Sequence, residues 1–270
     1  MTAQCKWNNV LSDVFEVNSG VKQGGVLSPH FFAVYIDELI KILRSKNIGC
    51  HILKMFVACI FYADDLTLIS PTRSVMQTLI DACVIYGETH CLSFNFKKTK
   101  TIIFGKNPHN VSPIPLTISG RNIEYVQSWK YLGTIVQSSS SHGLGFSASE
   151  DLRKFYRASN AIFSAIGKPH ETVSMHLPYS NCVPALTYAA EVKEFSGREM
   201  SNINVAINNA IRKIFTFSRR ESVRSLRELC GYKSIYDMFA IRKKQFLDRI
   251  PLSQNPVLNH LLAISSLINS

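Results

Sequence analysis

The sequence predicts an α+β fold, and three features of its patterning carry that expectation. Short β-rich apolar runs at 57–60 and 66–69 flank Phe61-Tyr62-Ala63-Asp64-Asp65, which reads as a hairpin with an acidic turn. Apolar residues recur at helical spacing through Phe31, Val34, Tyr35, Ile36, Leu39, Ile40 and Leu43, and again across 72–86 with Val75, Leu79, Ile80, Ala82 and Cys83 on one face. From residue 150 onward nearly everything reads helical. Antiparallel strands backed by two helices therefore precede a mostly helical second half.

Composition narrows the class. An apolar share of 46% over 270 residues is enough for a sizeable core and argues against global disorder. The net charge of +11 is uneven: residues 1–149 carry 13 basic and 9 acidic side chains, whereas 150–270 carry 17 and 10. A basic excess concentrated in one half fits a polyanionic partner such as nucleic acid, and a basic surface kept for solubility explains the charge as well. The seven cysteines form no C-x-x-C pair and several sit in apolar runs, which predicts reduced core thiols of an intracellular protein. The eight histidines lack metal-ligand spacing, so zinc is not expected, nor does any apolar stretch have the length to span a bilayer. Nothing distinguishes a nuclear from a cytoplasmic location.

Taken in order, the chain opens with Trp7, Val10, Val14, Phe15 and Val17 and enters Ser19-Gly20-Val21-Lys22-Gln23-Gly24-Gly25-Val26-Leu27-Ser28-Pro29. The glycines allow tight turning and close approach to a ligand, and Ser28 followed by Pro29 predicts an N-cap and first helical residue. Amides presented at a helix N-terminus suit an anion, although a capped helix after a loop explains the same residues. The acidic turn brings two carboxylates together. They need a compensating cation if held close, and hard oxygen ligands of this kind suit Mg²⁺ or Mn²⁺. An aromatic-x-Asp-Asp string alone also fits an ordinary solvated turn.

The string from Gly20 to Pro29, followed about 30 residues further on by Phe61-Tyr62-Ala63-Asp64-Asp65, resembles a reverse transcriptase of the non-LTR (LINE-type) retrotransposon family. The resemblance implies that Asp64 is the main metal ligand of a polymerase palm, with Asp65 in support. Gln23 and Gly24 would then shape the nucleotide pocket. It extends to Leu92-Ser93-Phe94-Asn95-Phe96-Lys97-Lys98-Thr99, similar to the family's Gly-Leu-x-x-Asn-x-x-Lys-Thr-like stretch, with Cys91 standing where glycine is usual. Lys98 would there neutralise or protonate pyrophosphate, while a solvated strand edge also accounts for Lys97, Lys98 and Lys100. A strand at 101–104 and two strand-like pieces at 116–119 and 122–126, joined around Gly120-Arg121, come next, with a loop at 107–113 before them. Trp129-Lys130-Tyr131-Leu132-Gly133 is similar to the family's primer-gripping segment, so Lys130 becomes a nucleic-acid contact; core packing explains Trp129 and Tyr131 equally well.

The expected organisation is the C-terminal part of a palm at 1–136, a flexible Ser/Gly-rich linker at 137–149 and a helical thumb-like region at 150–270. Helices are expected near 150–167, 180–195, 199–217, 221–230 and 234–249. Arg212, Lys213, Arg219 and Arg220 would track phosphates without reading bases. The implied partners are an RNA template with a DNA primer, or an RNA–DNA hybrid, and deoxynucleoside triphosphates, with no membrane.

The family also carries an essential aspartate on a strand upstream of the glycine loop. Here Asp13 lacks that sequence context, and fingers, endonuclease and a Cys/His knuckle are not found. Two-metal phosphoryl transfer needs carboxylates from more than one strand, so the chain reads as truncated at both ends and, isolated, is not expected to polymerise. The alternatives are a non-catalytic RNA or hybrid-binding module derived from such an element, and a relic unable to fold.

Overall fold

A computed structural model describes residues 2–17, 20–105, 114–139, 143–166 and 171–268. The architecture is α+β, with helices and small antiparallel sheets. Two compact units form, one from Met1–Thr99 with Ile114–Glu124, the other from Lys100–Pro113 with Tyr125–Ser270. The residues at 106–113, including the expected loop, lie outside those described.

In the first unit, helices α1 (Ser28–Ser45) and α2 (Arg73–Thr89) share one core with the acidic hairpin, whose strands are Cys59–Tyr62 and Asp65–Leu68. Leu39 and Leu43 of α1 and Leu79 of α2 are fully buried, and Ala58, Phe61, Leu66 and Leu68 pack onto them. Each such leucine contributes about 1.5–3 kcal/mol relative to exposure. The apolar period of α1 only partly predicts this. Ile36, Leu39 and Leu43 are buried, whereas Phe31, Val34 and Tyr35 are exposed. Val34 lies two residues from Ile36 and so on the far side of the helix. Tyr35 instead closes a polar clasp: its hydroxyl donates to the His90 carbonyl, and the Tyr86 hydroxyl donates to the Tyr35 carbonyl. The His90 ring stacks on Tyr86 at 3.8 Å.

Residues 2–16 make a hairpin the sequence reading missed. Lys6 faces Leu11 and Trp7 faces Val10 across Asn8 (φ 46°) and Asn9 (φ 66°), while Thr2 faces Glu16 further down. Two consecutive asparagines with positive φ are the signature of a two-residue primed turn, and that dipeptide was the available signal. The pieces near 116–126 resolve into strands Thr117–Ile118 and Arg121–Asn122, turning at Ser119-Gly120 rather than Gly120-Arg121. Gly120 supplies φ 75° at no steric cost.

The second unit contains strands Ser128–Tyr131, Thr134–Ser139 and Gly143–Ser147 in one antiparallel sheet. Within the stretch 137–149, expected to be a flexible linker, residues 137–139 and 143–147 are strand, and 140–142 lie outside the described residues. Val136 opposite Phe146 gives it an apolar pair, and Ser138 donates its hydroxyl to the Ile103 carbonyl at 2.7 Å. The expected strand at 101–104 shrinks to Lys100–Thr101.

Seven helices complete this unit: α3 (Ser149–Ile166), α4 (Glu171–Asn181), α5 (Val183–Leu186), α6 (Gly197–Phe215), α7 (Arg224–Leu229), α8 (Ile235–Arg249) and α9 (Pro256–Ile268), counted among the described residues. The continuous helix expected at 180–195 is not formed. The short α5 starts at Val183 with Pro184 in its first turn, and turns follow from 187 to 192. The helix expected from 221 begins at Arg224, and α9 was not foreseen. Phe155, Met175, Leu186, Ile203 and Ile211 form the centre of the core. Beside it Lys193 donates to Asp151 at 2.6 Å, both side chains essentially inaccessible to water.

The cysteines split by environment. All seven are free thiols, but only Cys83 and Cys182 are buried, whereas Cys5, Cys91 and Cys230 are exposed, so the expectation of core thiols holds for part of the set.

Candidate active site

The acidic hairpin is held from one side. Cys59, Phe61, Leu66 and Leu68 pack against the helices, and Ile60 and Tyr62 point outward by the strand's two-residue alternation. Tyr62 faces Asp65 across a two-residue turn made of Ala63 and Asp64. Ala63 takes φ 51°, the left-handed value that the first central position of a primed turn requires. The turn thus carries Asp64 at its tip and Asp65 at the first strand position. Both carboxylates are exposed, and among the described residues neither is engaged by a hydrogen bond or ion pair. No group of three or more His, Cys, Asp or Glu able to hold a metal occurs among those residues.

The glycine loop is internally braced. Gly25 N–H donates to the Lys22 carbonyl at 3.0 Å, closing a turn in which Gly24 has φ 76°. That geometry requires positive φ at the third turn position. A Cβ on Gly25 would meet the Ser28 hydroxyl at 2.6 Å, so glycine is needed there for space rather than backbone freedom. Ser28 does not cap α1, contrary to the sequence expectation. Its hydroxyl donates to Lys22 carbonyl at 2.6 Å, and Leu27 occupies the cap position without a side-chain bond. The hydroxyl folds the loop back instead of satisfying the helix end. Gln23 and Gly24 are left exposed beside α1; Ser19 lies outside the described residues.

Lys98 sits on a turn built by Asn95, whose side-chain and backbone oxygens both accept from Lys98 N–H. Cys91, upstream, has φ 52°. This supplies the physical reason for glycine at the equivalent family position, because a side chain there is strained. Gln23, Gly24, Asp64, Asp65 and Lys98 all fall in the first unit.

The other expected contacts belong to the second unit. Lys130 lies on strand Ser128–Tyr131 and its ammonium is 4.0 Å from Glu150. Beside it Lys100 lies over the Trp129 ring at 5.3 Å. The strand turns through Leu132 (φ 44°) and Gly133 (φ 80°), and Tyr188 donates its hydroxyl to the Leu132 carbonyl at 3.0 Å. Arg212 donates through Nε to the Glu221 carbonyl and through Nη1 to Asn209, each at 3.0 Å. Lys213 reaches Asn160 and lies over Phe163 at 4.8 Å. Arg219 and Arg220 occupy the exposed turn after α6.

Residues 2–136 match the family model for reverse transcriptase (RNA-dependent DNA polymerase). The chain belongs to that family. It is 24% identical over 208 residues to a retrovirus-related Pol polyprotein from type-1 retrotransposable element R2 of Popillia japonica, covering 73% of this chain and 28% of that protein. The corresponding polyprotein from type-2 element R2DM of Drosophila melanogaster is 30% identical over 135 residues, 45% of this chain and 12% of that protein. An RNA-directed DNA polymerase from mobile element jockey of the same fly is 22% identical over 215 residues, covering 75% and 22%. The aligned part is thus less than a third of each relative. These relatives bear out the resemblance to non-LTR retrotransposon reverse transcriptases. The family match encloses Gln23, Gly24, Asp64, Asp65, Lys98 and Lys130, whereas Arg212, Lys213, Arg219 and Arg220 lie beyond it. No helix among the described residues is long and apolar enough to cross a membrane.

Proposed function

We propose that this reverse transcriptase-family chain provides the acid pair and the nucleic-acid grip of an RNA-directed DNA polymerase. Residues 1–136 act as the C-terminal part of the palm and residues 150–270 as the thumb. The observation that supports this most directly is the pair Asp64 and Asp65, raised on a core-anchored turn with both carboxylates exposed and unengaged. Adjacent hard oxygen donors on a rigid hairpin fit Mg²⁺ or Mn²⁺. Such an ion, when bound, stabilises the charge that develops on the reacting phosphate. Asp64 is the main ligand and Asp65 supports it. Gln23 and Gly24 shape the side of the nucleotide pocket, and Lys98 offsets the charge of the departing pyrophosphate.

In this reading the substrates are an RNA template with a DNA primer, and deoxynucleoside triphosphates. Lys130, Arg212, Lys213, Arg219 and Arg220 hold the backbone of the primer–template or RNA–DNA hybrid. Two carboxylates are fewer than a two-metal clamp requires, so the isolated chain is proposed to be inactive until another segment or chain adds an acid. Primer extension on an RNA template with Mg²⁺ and then Mn²⁺, beside Asp64→Asn, tests this. No extension by the chain alone, together with salt-sensitive RNA binding that Asp64→Asn leaves unchanged, is the expected result. Extension abolished in the variant overturns the inactivity and keeps the role of Asp64. Extension equal in the variant overturns the assignment of the acid pair.

A second reading is favoured by the exposed Arg219-Arg220 turn, which joins no ion pair among the described residues. It takes the chain as a non-catalytic RNA or hybrid-binding module. It requires RNA binding to survive conditions and variants under which no extension occurs even with an added fingers fragment.

A further inference from the structure

A polar pocket of about 400 Å³ opens in the second unit between α6 and the segment holding α7 and the start of α8. Arg212, Arg224 and Arg227 line it together with Asn208, Glu228 and Asp237. Arg227 is 9% exposed, and its Nε is buried without a hydrogen-bond partner, as is the side-chain oxygen of Asn208. Leaving a buried donor of a charged group unpaired is costly, and because Arg227 also lines the pocket, an anion there that draws the guanidinium round would give that donor an acceptor. The two carboxylates facing the pocket are already committed. Glu228 accepts from Arg224 at 2.9 Å, and Asp237 accepts from the Ser234 hydroxyl at 2.6 Å in the cap of α8. Arg212 uses Nε and Nη1 on protein oxygens, and among the described residues no partner takes its Nη2.

We propose that this pocket binds the terminal phosphate of a nucleic-acid strand, with Arg227 at its floor and Arg212 and Arg224 at its rim. Planar guanidinium forks match phosphate oxygens, and a monoester end can enter a pocket that an internal phosphodiester, tied on both sides, enters less readily. The volume exceeds what one phosphate fills and accommodates the attached nucleoside. A free nucleotide offers the same chemistry, so the experiment separates the two sources. This inference deepens the nucleic-acid grip argued above and depends on it only for the choice of a strand end.

The test uses the full 270-residue chain and two RNA oligonucleotides of one sequence, 5′-phosphorylated and 5′-hydroxyl, with binding followed by fluorescence anisotropy. The phosphorylated RNA is expected to bind about tenfold more tightly. Arg224→Gln removes most of that preference, while Glu228→Gln, which deletes a facing negative charge, increases it. Both positions are exposed, so neither variant disturbs the core. Arg227→Lys keeps a charge at the floor but loses the fork, and lowers the preference without abolishing RNA binding. Adenosine 5′-monophosphate at millimolar concentration competes with the phosphorylated RNA only. Equal binding of the two RNAs, unmoved by the variants, overturns the pocket and leaves the grip standing. Adenosine monophosphate bound in an Arg224-dependent way by a chain that holds neither RNA overturns the strand-end assignment and the grip together, and identifies a free-nucleotide site.

Discussion

Gln77 and Thr117 bind one another through both ends of an amide. The Gln77 side chain accepts from Thr117 N–H and donates to its carbonyl, each at 2.9 Å, as a neighbouring strand would. Arg73, one turn earlier on α2, donates to the carbonyls of Ile114 and Pro115, so the helix stands in for a sheet edge along this segment. Gln77→Ala leaves both backbone groups of Thr117 without their partner and is expected to cost about 1–3 kcal/mol. Urea unfolding monitored by circular dichroism measures the loss. A change within error would mean that water replaces the amide.

Cys91 is strained by its own side chain. Replacing it with glycine at φ 52° removes that strain, against a gain in unfolded-chain entropy. The balance favours the variant by about 0.5–1 kcal/mol. A higher urea midpoint with unchanged slope is the expected outcome, and a lower one would show that the Cys91 side chain makes a stabilising contact.

Lys193 and Asp151 stand or fall together. Removing one partner strands the other charge in the core, so Lys193→Met and Asp151→Asn are each expected to destabilise by about 3–5 kcal/mol. Lys193→Met combined with Asp151→Leu recovers most of the loss, because no lone charge remains. The double-mutant cycle gives the coupling, and additive losses would refute it.

Thiol chemistry offers an independent check on burial. Burial pushes the Cys83 thiol up to about 12 and the Cys59 thiol up to about 11, which keeps both protonated at neutral pH. Iodoacetamide at pH 8 is expected to label Cys5, Cys91 and Cys230 in the native protein within minutes. Cys83 and Cys182 follow only in denaturant. Native labelling of Cys83, read by peptide mass spectrometry, would show that the α1–α2 core opens readily.

The features legible in the sequence are those set by neighbours in the chain. The acidic turn could be read because breakers and β-rich runs bracket it, and α2 because its apolar face recurs at helical spacing from Val75 to Cys83. Ser28 misled, since a hydroxyl before Pro29 reads as a cap only until one knows that the Lys22 carbonyl lies within its reach. The Ser/Gly stretch misled in the same way, its strand character coming from Val136 opposite Phe146 rather than from local preference. Contacts between distant residues, such as Lys193 with Asp151 or the arginines converging on one pocket, leave no periodic trace at all.

The acidic hairpin separates the residues that hold its shape from those it displays. Phe61, Leu66 and Leu68 secure it from beneath, whereas Asp64 and Asp65 contribute nothing to that anchorage. Selection for a folded product therefore does not see the carboxylates. Changing both aspartates would redraw the charge at the hairpin tip while its anchorage stays as it is, so shape and displayed charge can vary independently at this one turn.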